Sequence, residues 1–402
     1  MKRLLIISTH PIQYNAPLFQ LLTIRRNIEV KVFYTWGQAQ EKIFDPGFGQ
    51  YRQWDIPLLE GYDYEFIENT SVQPGSHHFK GIENPSLIKK IEGYDPDAIL
   101  VFGWSFKSHL KVMRHFKGKK KIIFRGDSNL LDEPPGFSFK KMLRRIFLRW
   151  IYRYVDVALY TGSANKEYYL QHGLKESQLV FAPHAIDNER FILAARGNEK
   201  RTEALRAGIG IPPNAVVFIF AGKFEIKKDP QLLIDAFAQL NDKRANLLLV
   251  GNGLLEESLK AAVAKLPQQI RSSIHFMSFQ NQSSMPDIYG MGDVFCLPSQ
   301  GPGETWGLAV NEAMACSKPV LVSKKCGCYL DLVKEGVNGF VVNSNDINDW
   351  HHKMKMLLAD ENKRDVMGEQ SLQIIKQWSY EKICAALENV PDGKLQSLKL
   401  NN

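Results

Sequence analysis

DVFCLPSQGPGETWGLAVNEAMACSKP, residues 293–319, is the stretch whose reading decides the fold. Val294 to Leu297 form a short apolar run that suits a buried strand. A loop rich in Gly and Pro follows, with Glu304 in it. Gly307 to Cys316 is rich in Ala, Leu and Met and predicts a short helix, and Pro319 opens a second apolar strand, Val320 to Val322. The order is strand, loop, helix, strand, with one carboxylate in the loop and a second, Glu312, inside the helix. Such a loop leaves the carboxyl end of a parallel strand, where open α/β sheets bind ligands. The backbone N–H groups of Thr305, Trp306, Gly307 and Leu308 fall near a helix N-terminus, a natural seat for phosphate. Two carboxylates beside a phosphate seat suit a ligand with both hydroxyls and phosphates, such as a nucleotide sugar. For an isolated pair of glutamates, a helix cap plus a solvated side chain is the plainer alternative.

The flanking pattern favours the ligand. Pro298, Ser299, Glu304, Trp306, Gly307, Glu312, Ala313, Met314 and Ala315 resemble the E-x7-E signature of family 4 retaining glycosyltransferases, P-S-x-x-E-x-F/W-G-x-x-x-x-E-A-M-A. The approach loop, Gln300 to Gly303, is longer than in that pattern.

The resemblance extends along the second half. Val216 to Ala221 predict a buried strand, followed by Gly222-Lys223 and Lys227-Lys228-Asp229-Pro230. This is similar to the family's G-R-x-x-x-x-K-G, with Lys223 for Arg and Asp229 for Gly. Lys223 loses the guanidinium fork but keeps the charge. Read alone, the lysines are surface charges; in register with Glu304 and Glu312, their spacing suits two cations closing on one diphosphate. Gly251-Asn252-Gly253 resembles the family's V-G-x-G turn, and Ile274 to Phe279 the strand whose end holds the donor's base. Cys326 to Gly339 resembles the closing G-x-x-E-x-x-x-x-G-x-N-G, with Asp331 as its acidic member.

The first half alternates strands and helices, the mark of a parallel sheet. Strands are expected at 3–8, 30–35, 98–102, 121–125, 155–160 and 178–182. Helices are expected near 17–25, 86–92, 105–116 and 164–172. A Rossmann G-x-G-x-x-G is absent after the first strand. Its loop carries His10, Gln13 and Tyr14, which the resemblance places on the acceptor side; turn formation and capping are the alternative. Strand 121–125 ends in Gly126-Asp127-Ser128, where many family members have a His. Asp127 is the candidate for that place, with capping of the following helix as its competing role. Asp95-Pro96-Asp97 has the D-x-D spacing of metal-dependent enzymes but reads as a stiffened turn before a strand. Residues 183–214 hold polar, charged and Pro-rich segments and are the expected linker; PHAIDNERF in it resembles the family's P-N-G-V-D-x-x-x-F, with His184 for Asn.

Composition bounds the rest. The 402 residues suffice for two domains, and 44% hydrophobic with 23% charged content is ordinary for a globular protein. The net charge of +8 favours acidic partners. The five cysteines form neither a disulfide framework nor a zinc pattern, which fits a reducing compartment. Lys2 and Arg3 precede an apolar run too short for a signal peptide, and no stretch approaches the roughly 18 apolar residues of a membrane span. Residues 139–154, FKKMLRRIFLRWIYRY, place Phe139, Met142, Leu143, Ile146, Phe147, Trp150 and Tyr154 on one helical face and six Lys/Arg over the other. This face either lies on an anionic membrane or packs on the first sheet with its basic side solvated. No nucleic-acid motif accompanies the charge.

The resemblance implies a GT-B fold: two Rossmann-like, doubly wound α/β domains facing across a cleft. Residues 1–190 are expected to bind the acceptor and 191–375 the nucleotide-sugar donor. Residues 376–402 are expected to form a helix crossing back to the first domain and a polar, frayed tail from Asp392. The implied activity is transfer, with retention, from a UDP- or GDP-sugar to a glycan or lipid-linked acceptor, a precursor of cell-surface polysaccharide. No cofactor and no metal are required in that reading, and the place of action is cytoplasmic, at the inner face of the membrane. Glu304 and Asp127 are the catalytic candidates; Gly222, Lys223, Lys228, Thr305, Trp306, Gly307, Leu308 and Glu312 are the donor contacts. A nucleotide-sugar 2-epimerase on the same scaffold and a non-catalytic nucleotide-sugar binder are the competing readings.

Overall fold

The computed structural model describes residues 1–37, 43–45, 50–197 and 199–390. They divide into two compact units, one drawn from Met1–Ile43, Ile56–His184 and Tyr380–Asn402, the other from Phe44–Asp55 and Ala185–Ser379. The polar tail expected from Asp392 lies outside the described residues.

The first unit is built on a seven-stranded sheet. Its strands are β1 (Arg3–Ser8), β2 (Glu29–Tyr34), β5 (Asp63–Phe66), β6 (Ala98–Phe102), β7 (Lys121–Arg125), β8 (Val157–Tyr160) and β9 (Leu179–Phe181). The order is β5-β2-β1-β6-β7-β8-β9, and every pair is parallel. Leu4 to Ile7 are fully buried. Helices cover both faces of such a strand, which is why it reads as a continuous apolar run. The order reverses between β1 and β6, so the loop carrying His10 leaves the sheet at its topological switch point. Helix Tyr380–Asn389 belongs to this unit. Arg25 holds Glu388 with two hydrogen bonds, 2.7 and 2.9 Å, and the Tyr380 hydroxyl donates to the Tyr14 carbonyl at 2.9 Å. The short strands β3 (Ile43–Asp45) and β4 (Gln50–Arg52) pair with each other.

The second unit has a six-stranded sheet: β10 (Val216–Ala221), β11 (Ala245–Val250), β12 (Ile274–Met277), β13 (Val294–Leu297), β14 (Val320–Ser323) and β15 (Gly339–Val342). Its order is β12-β11-β10-β13-β14-β15, again all parallel, with the switch point between β10 and β13. The segment ending at Asp55 docks on this unit. The Asp55 carboxylate accepts the Ser283 N–H at 3.1 Å, the Gln53 carbonyl accepts from Asn281 at 2.8 Å, and Trp54 meets Phe279 edge-on.

Three expectations need correction. The expected linker contains two helices, Asn188–Gly197 and Glu199–Gly208. The first buries Phe191 and ties Arg190 to Gln282 at 2.7 Å; the second buries no side chain completely, so its charged sequence carries no apolar stripe to read. Strands β3, β4 and β5 were not expected; β5 is a four-residue edge strand, DYEF, that begins with a charge. Helix Phe139–Tyr152 buries Leu148, Ile151 and Tyr152, while Phe139, Met142, Leu143, Ile146 and Phe147 are exposed. The packing of that apolar face on the sheet is therefore overturned. No helix among the described residues is long and apolar enough to cross a membrane.

Candidate active site

In the second unit, the chain leaves β13 at Leu297 and runs through the Glu304 loop into helix Leu308–Ala315. Lys228 ends a single 3-10 turn, Ile226–Lys228, after β10. The two loops leave the two strands that flank the switch point, so they are neighbours. Gln300 ties them together: its N–H donates to Lys227 O at 2.9 Å and its side-chain amide to Ile226 O at 2.8 Å.

This brings Lys228 Nζ onto the Glu304 carboxylate as an ion pair, and Ser299 Oγ donates to the same carboxylate oxygen at 3.1 Å. Glu304 is only 8% exposed. Burial by itself draws the Lys228 pKa down, but the Glu304 charge and hydrogen bond outweigh it and hold the ammonium above its ordinary value. A cation and an anion thus stand together at the carboxyl edge of the sheet. The Glu304 loop is also held from behind: Gly327 N–H donates to Glu304 O at 3.1 Å and Cys328 N–H to Trp306 O at 3.0 Å.

Local sequence explains the approach of these loops. Gly251 has φ +144°, and a Cβ there would lie 1.9 Å from Gly222 O. The turns after β10 and β11 touch at that point, and only glycine allows it. Gly222 N–H donates to Val250 O at 3.0 Å, and Lys223, half-buried, follows it. Gly307, at φ +97°, caps the helix, and a Cβ on it would come within 3.0 Å of Leu297 Cδ2. Asp229, standing where the family pattern has glycine, takes φ +48° and caps helix Pro230–Ala238 by accepting Leu232 N–H at 3.3 Å. Asp tolerates that backbone better than most residues.

Trp306 is buried, its indole N–H donating to Asn311 Oδ1 at 2.9 Å; Thr305 and Leu308 are part-exposed beside it. Glu312, one turn into the helix, is buried and accepts the Tyr289 hydroxyl at 2.7 Å. Tyr289 and Asn311 were missed by sequence reasoning, and Ser299 was named only as part of the matched pattern, with no role. Tyr289 comes from another helix and had no signal. All five cysteines are buried, and burial pushes the Cys316 thiol up to about 12, which suits core packing.

In the first unit, His10 Nδ1 lies 2.9 Å from Thr9 Oγ1 and the ring meets Trp36 edge-on. Burial lowers the His10 pKa to about 4, so the imidazole is neutral near pH 7. Gln13 and Tyr14 are half-buried in the same loop. Asp127 does not cap the next helix, which starts at Phe139 with Ser138 before it. Instead, His184 Nε2 stands 3.9 Å from the Asp127 carboxylate. Arg125, fully enclosed, donates to the Ala182 and Pro183 carbonyls at 2.8 and 2.9 Å and so fixes the strand end that presents His184. Burial, then the Arg125 charge, lower the His184 pKa to about 4 against the pull of Asp127. A histidine thus stands beside Asp127, carried just after the end of β9. Its signal was the His184 in the linker pattern.

Asp95 and Asp97 are engaged within the fold. Asp97 accepts the Arg3 N–H at 2.7 Å, and Asp95 pairs with Lys120 at 2.6 Å and Arg3 at 3.3 Å. Among the described residues, no cluster of His, Cys, Asp and Glu is arranged to hold a metal.

Residues 201–373 match the model of the family described as "Glycosyl transferases group 1". Among curated proteins, the chain is 28% identical over 200 residues to a D-inositol 3-phosphate glycosyltransferase of Corynebacterium aurimucosum, covering 48% of this chain and 47% of that one. It is 25% identical to the sulfoquinovosyl transferase SQD2 of Arabidopsis thaliana, covering 76% of this chain and 58% of that one. The chain thus spans about half the length of these relatives. Among solved structures, Anabaena Alr3699/HepE in complex with UDP and glucose superposes with a TM-score of 0.69 at 20% identity, covering 98% of this chain and 100% of that one. Sucrose-phosphate synthase of Thermosynechococcus elongatus gives 0.70 at 16%, covering 98% and 99%. The two parallel-sheet, Rossmann-like units are those of the GT-B fold, and residues 201–373 match the glycosyl transferases group 1 model.

Proposed function

We propose that the chain is a retaining, metal-independent glycosyltransferase that moves a sugar from a nucleotide-diphospho-sugar to a glycan or lipid-linked acceptor. The observation that carries this reading is the Lys228–Glu304 pair at the switch point of the second sheet. One ligand can meet both groups, with diphosphate oxygens at Lys228 and sugar hydroxyls at Glu304. The UDP and UDP-glucose complexes of Anabaena Alr3699/HepE, a structural neighbour, support a UDP-sugar as the donor to test first; a GDP-sugar is the second choice.

As the anomeric C–O bond breaks, positive charge builds on the sugar and the departing diphosphate takes the bonding electrons. Lys223, Lys228 and the helix N-terminus behind Gly307 stabilise that charge, so no metal is needed. The acceptor hydroxyl bonds to the anomeric carbon on the face the diphosphate leaves, and its proton passes to the departing phosphate oxygen. Glu304 holds sugar hydroxyls, Glu312 with Tyr289 the ribose, and the loop with Thr305, Trp306 and Leu308 the phosphates. In the first unit, His10, Gln13 and Tyr14 contact the acceptor. Asp127, with His184 neutral beside it, orients the reacting sugar. The expected acceptors are precursors of cell-surface polysaccharide at the inner face of the membrane.

The test is nucleotide release from UDP-, GDP- and ADP-sugars, with and without a lipid extract, in EDTA and in added metal. Product anomeric configuration is read by NMR. Release from one donor, raised by extract, insensitive to EDTA and giving the donor's own anomer, supports the reading. An epimerised sugar nucleotide formed without acceptor would replace it with the isomerase, and an inverted product would remove the retaining mechanism.

A further inference from the structure

We infer that residues 137–147 dock the first unit on an anionic lipid bilayer. Helix Phe139–Tyr152 is turned against the usual rule for a surface helix, which buries its apolar stripe. Here Leu148, Ile151 and Tyr152 face the fold, and the opposite side carries Phe139 at 63%, Leu143 at 50% and Ile146 at 57% exposure, with Phe147 on the flank against Trp104. Phe137, in the loop just before, is 86% exposed. So many large apolar groups contiguous on one face are rare on a protein that stays in water.

Charge selects the occupant. No acidic residue stands between Pro134 and Tyr154, while six Lys or Arg do. A second copy of the same face would bring those cations together, whereas a surface of anionic headgroups neutralises them. Beside the apolar stripe is a groove of about 200 Å³ lined by Phe137, Lys141, Met142, Arg145, Ile146 and Arg149. Its chemistry is that of a lipid headgroup region, apolar on one wall and cationic on the other. Lys141 is anchored there on the Pro134 and Gly136 carbonyls, and Arg145 reaches Glu133 at 3.4 Å while its Nε has no hydrogen-bond partner. A lipid phosphate at the groove would meet the exposed parts of the Arg145 and Arg149 guanidiniums and the Lys141 ammonium, while Phe139, Leu143 and Ile146 enter the acyl boundary.

The test is flotation of the full chain with vesicles of phosphatidylcholine alone or mixed with phosphatidylglycerol, at low and high salt. Wild type is expected to float with the anionic vesicles only and to be released by salt. Lys140→Glu should lower partitioning at least about fivefold, the worth of one cation at such a surface. Leu143→Asp/Ile146→Asp should lower it roughly a hundredfold, by loss of two inserted side chains. Both changes lie on exposed positions, and circular dichroism with UDP binding on the same samples shows whether the fold and the donor half are intact. A Phe139→Trp reporter should shift its emission to the blue on anionic vesicles. The inference is overturned if wild type does not float at low salt, if the double variant floats like wild type, or if light scattering shows a dimer that the double variant dissolves. Failure of UDP binding with flotation retained would count against the donor reading and leave this one standing.

Discussion

Lys228→Ala should cost stability as well as transfer, and the two losses separate in a double variant. Glu304 is 9% exposed in its side chain and Lys228 15%, so the pair is mostly desolvated. Removing one partner of a buried pair costs about 3–5 kcal/mol, because the other charge is left uncompensated. Ser299 Oγ still donates to the Glu304 carboxylate, which retains part of that. We therefore expect Lys228→Ala to lower the stability of the second unit by about 2–3 kcal/mol. At a few degrees per kcal/mol for a domain of this size, the melting temperature falls by roughly 5–10 °C. Glu304→Gln on top of it removes the stranded charge and should recover about half of the loss. Nucleotide release behaves differently: losing a preorganised charge contact costs about 2–4 kcal/mol in the transition state, a thirty- to thousandfold fall that Glu304→Gln deepens. Urea titration and the UDP-release assay on the four proteins of the cycle measure both. Lys228→Ala with a wild-type urea midpoint would refute the buried-pair argument, and recovery of transfer in the double variant would refute the assigned roles.

Three further outcomes are expected. Gly251→Ala puts a methyl group 1.9 Å from Gly222 O at φ +144°, so it should destabilise the second unit by more than about 3 kcal/mol or yield insoluble protein, read by thermal melting. His109 is enclosed, with Nε2 2.9 Å from Thr35 Oγ1 and Nδ1 3.0 Å from Phe102 O, and burial lowers its pKa to about 4. Its unfolded form takes up a proton near pH 6.5 and the folded form resists until about 4, so the first unit should lose stability as pH falls through that window; urea midpoints against pH should fall less steeply in His109→Gln. Asp127→Asn removes the carboxylate beside His184 and should lower transfer while leaving UDP affinity unchanged, checked by calorimetry with UDP and by turnover.

The second sheet was legible because its central strands are largely apolar runs, broken only by Asn246 and ended by Ser323, and because glycines mark the turns after β10 and β11. Glu304, Lys228 and Gly307 were found by pattern, and their positions in the chain fitted a single edge of the sheet. What the pattern lacked was the pairing itself. Lys228 and Glu304 are 76 residues apart, and only the strand order, with β10 beside β13, makes them neighbours. Tyr289 and the seat of His184 were hidden for the same reason. Helix Glu199–Gly208 was read as linker because it buries no whole side chain, so burial left no imprint on its sequence. Helix Phe139–Tyr152 was read with the right apolar face, but periodicity shows only that a face is apolar, not which neighbour covers it. The inward side is set by Leu148, Ile151 and Tyr152, a smaller set that the wheel outvoted.

Helix Tyr380–Asn389 has a consequence for synthesis on the ribosome. The first unit begins with β1, yet its helix Ala16–Arg25 is clasped through Arg25 by Glu388. Between those two residues the chain makes the whole second unit. The half translated first is therefore completed last, and until residues 380–389 emerge it exposes the surface that they cover. A nascent chain stalled before Tyr380 would hold a complete second unit and a first unit still lacking its last helix.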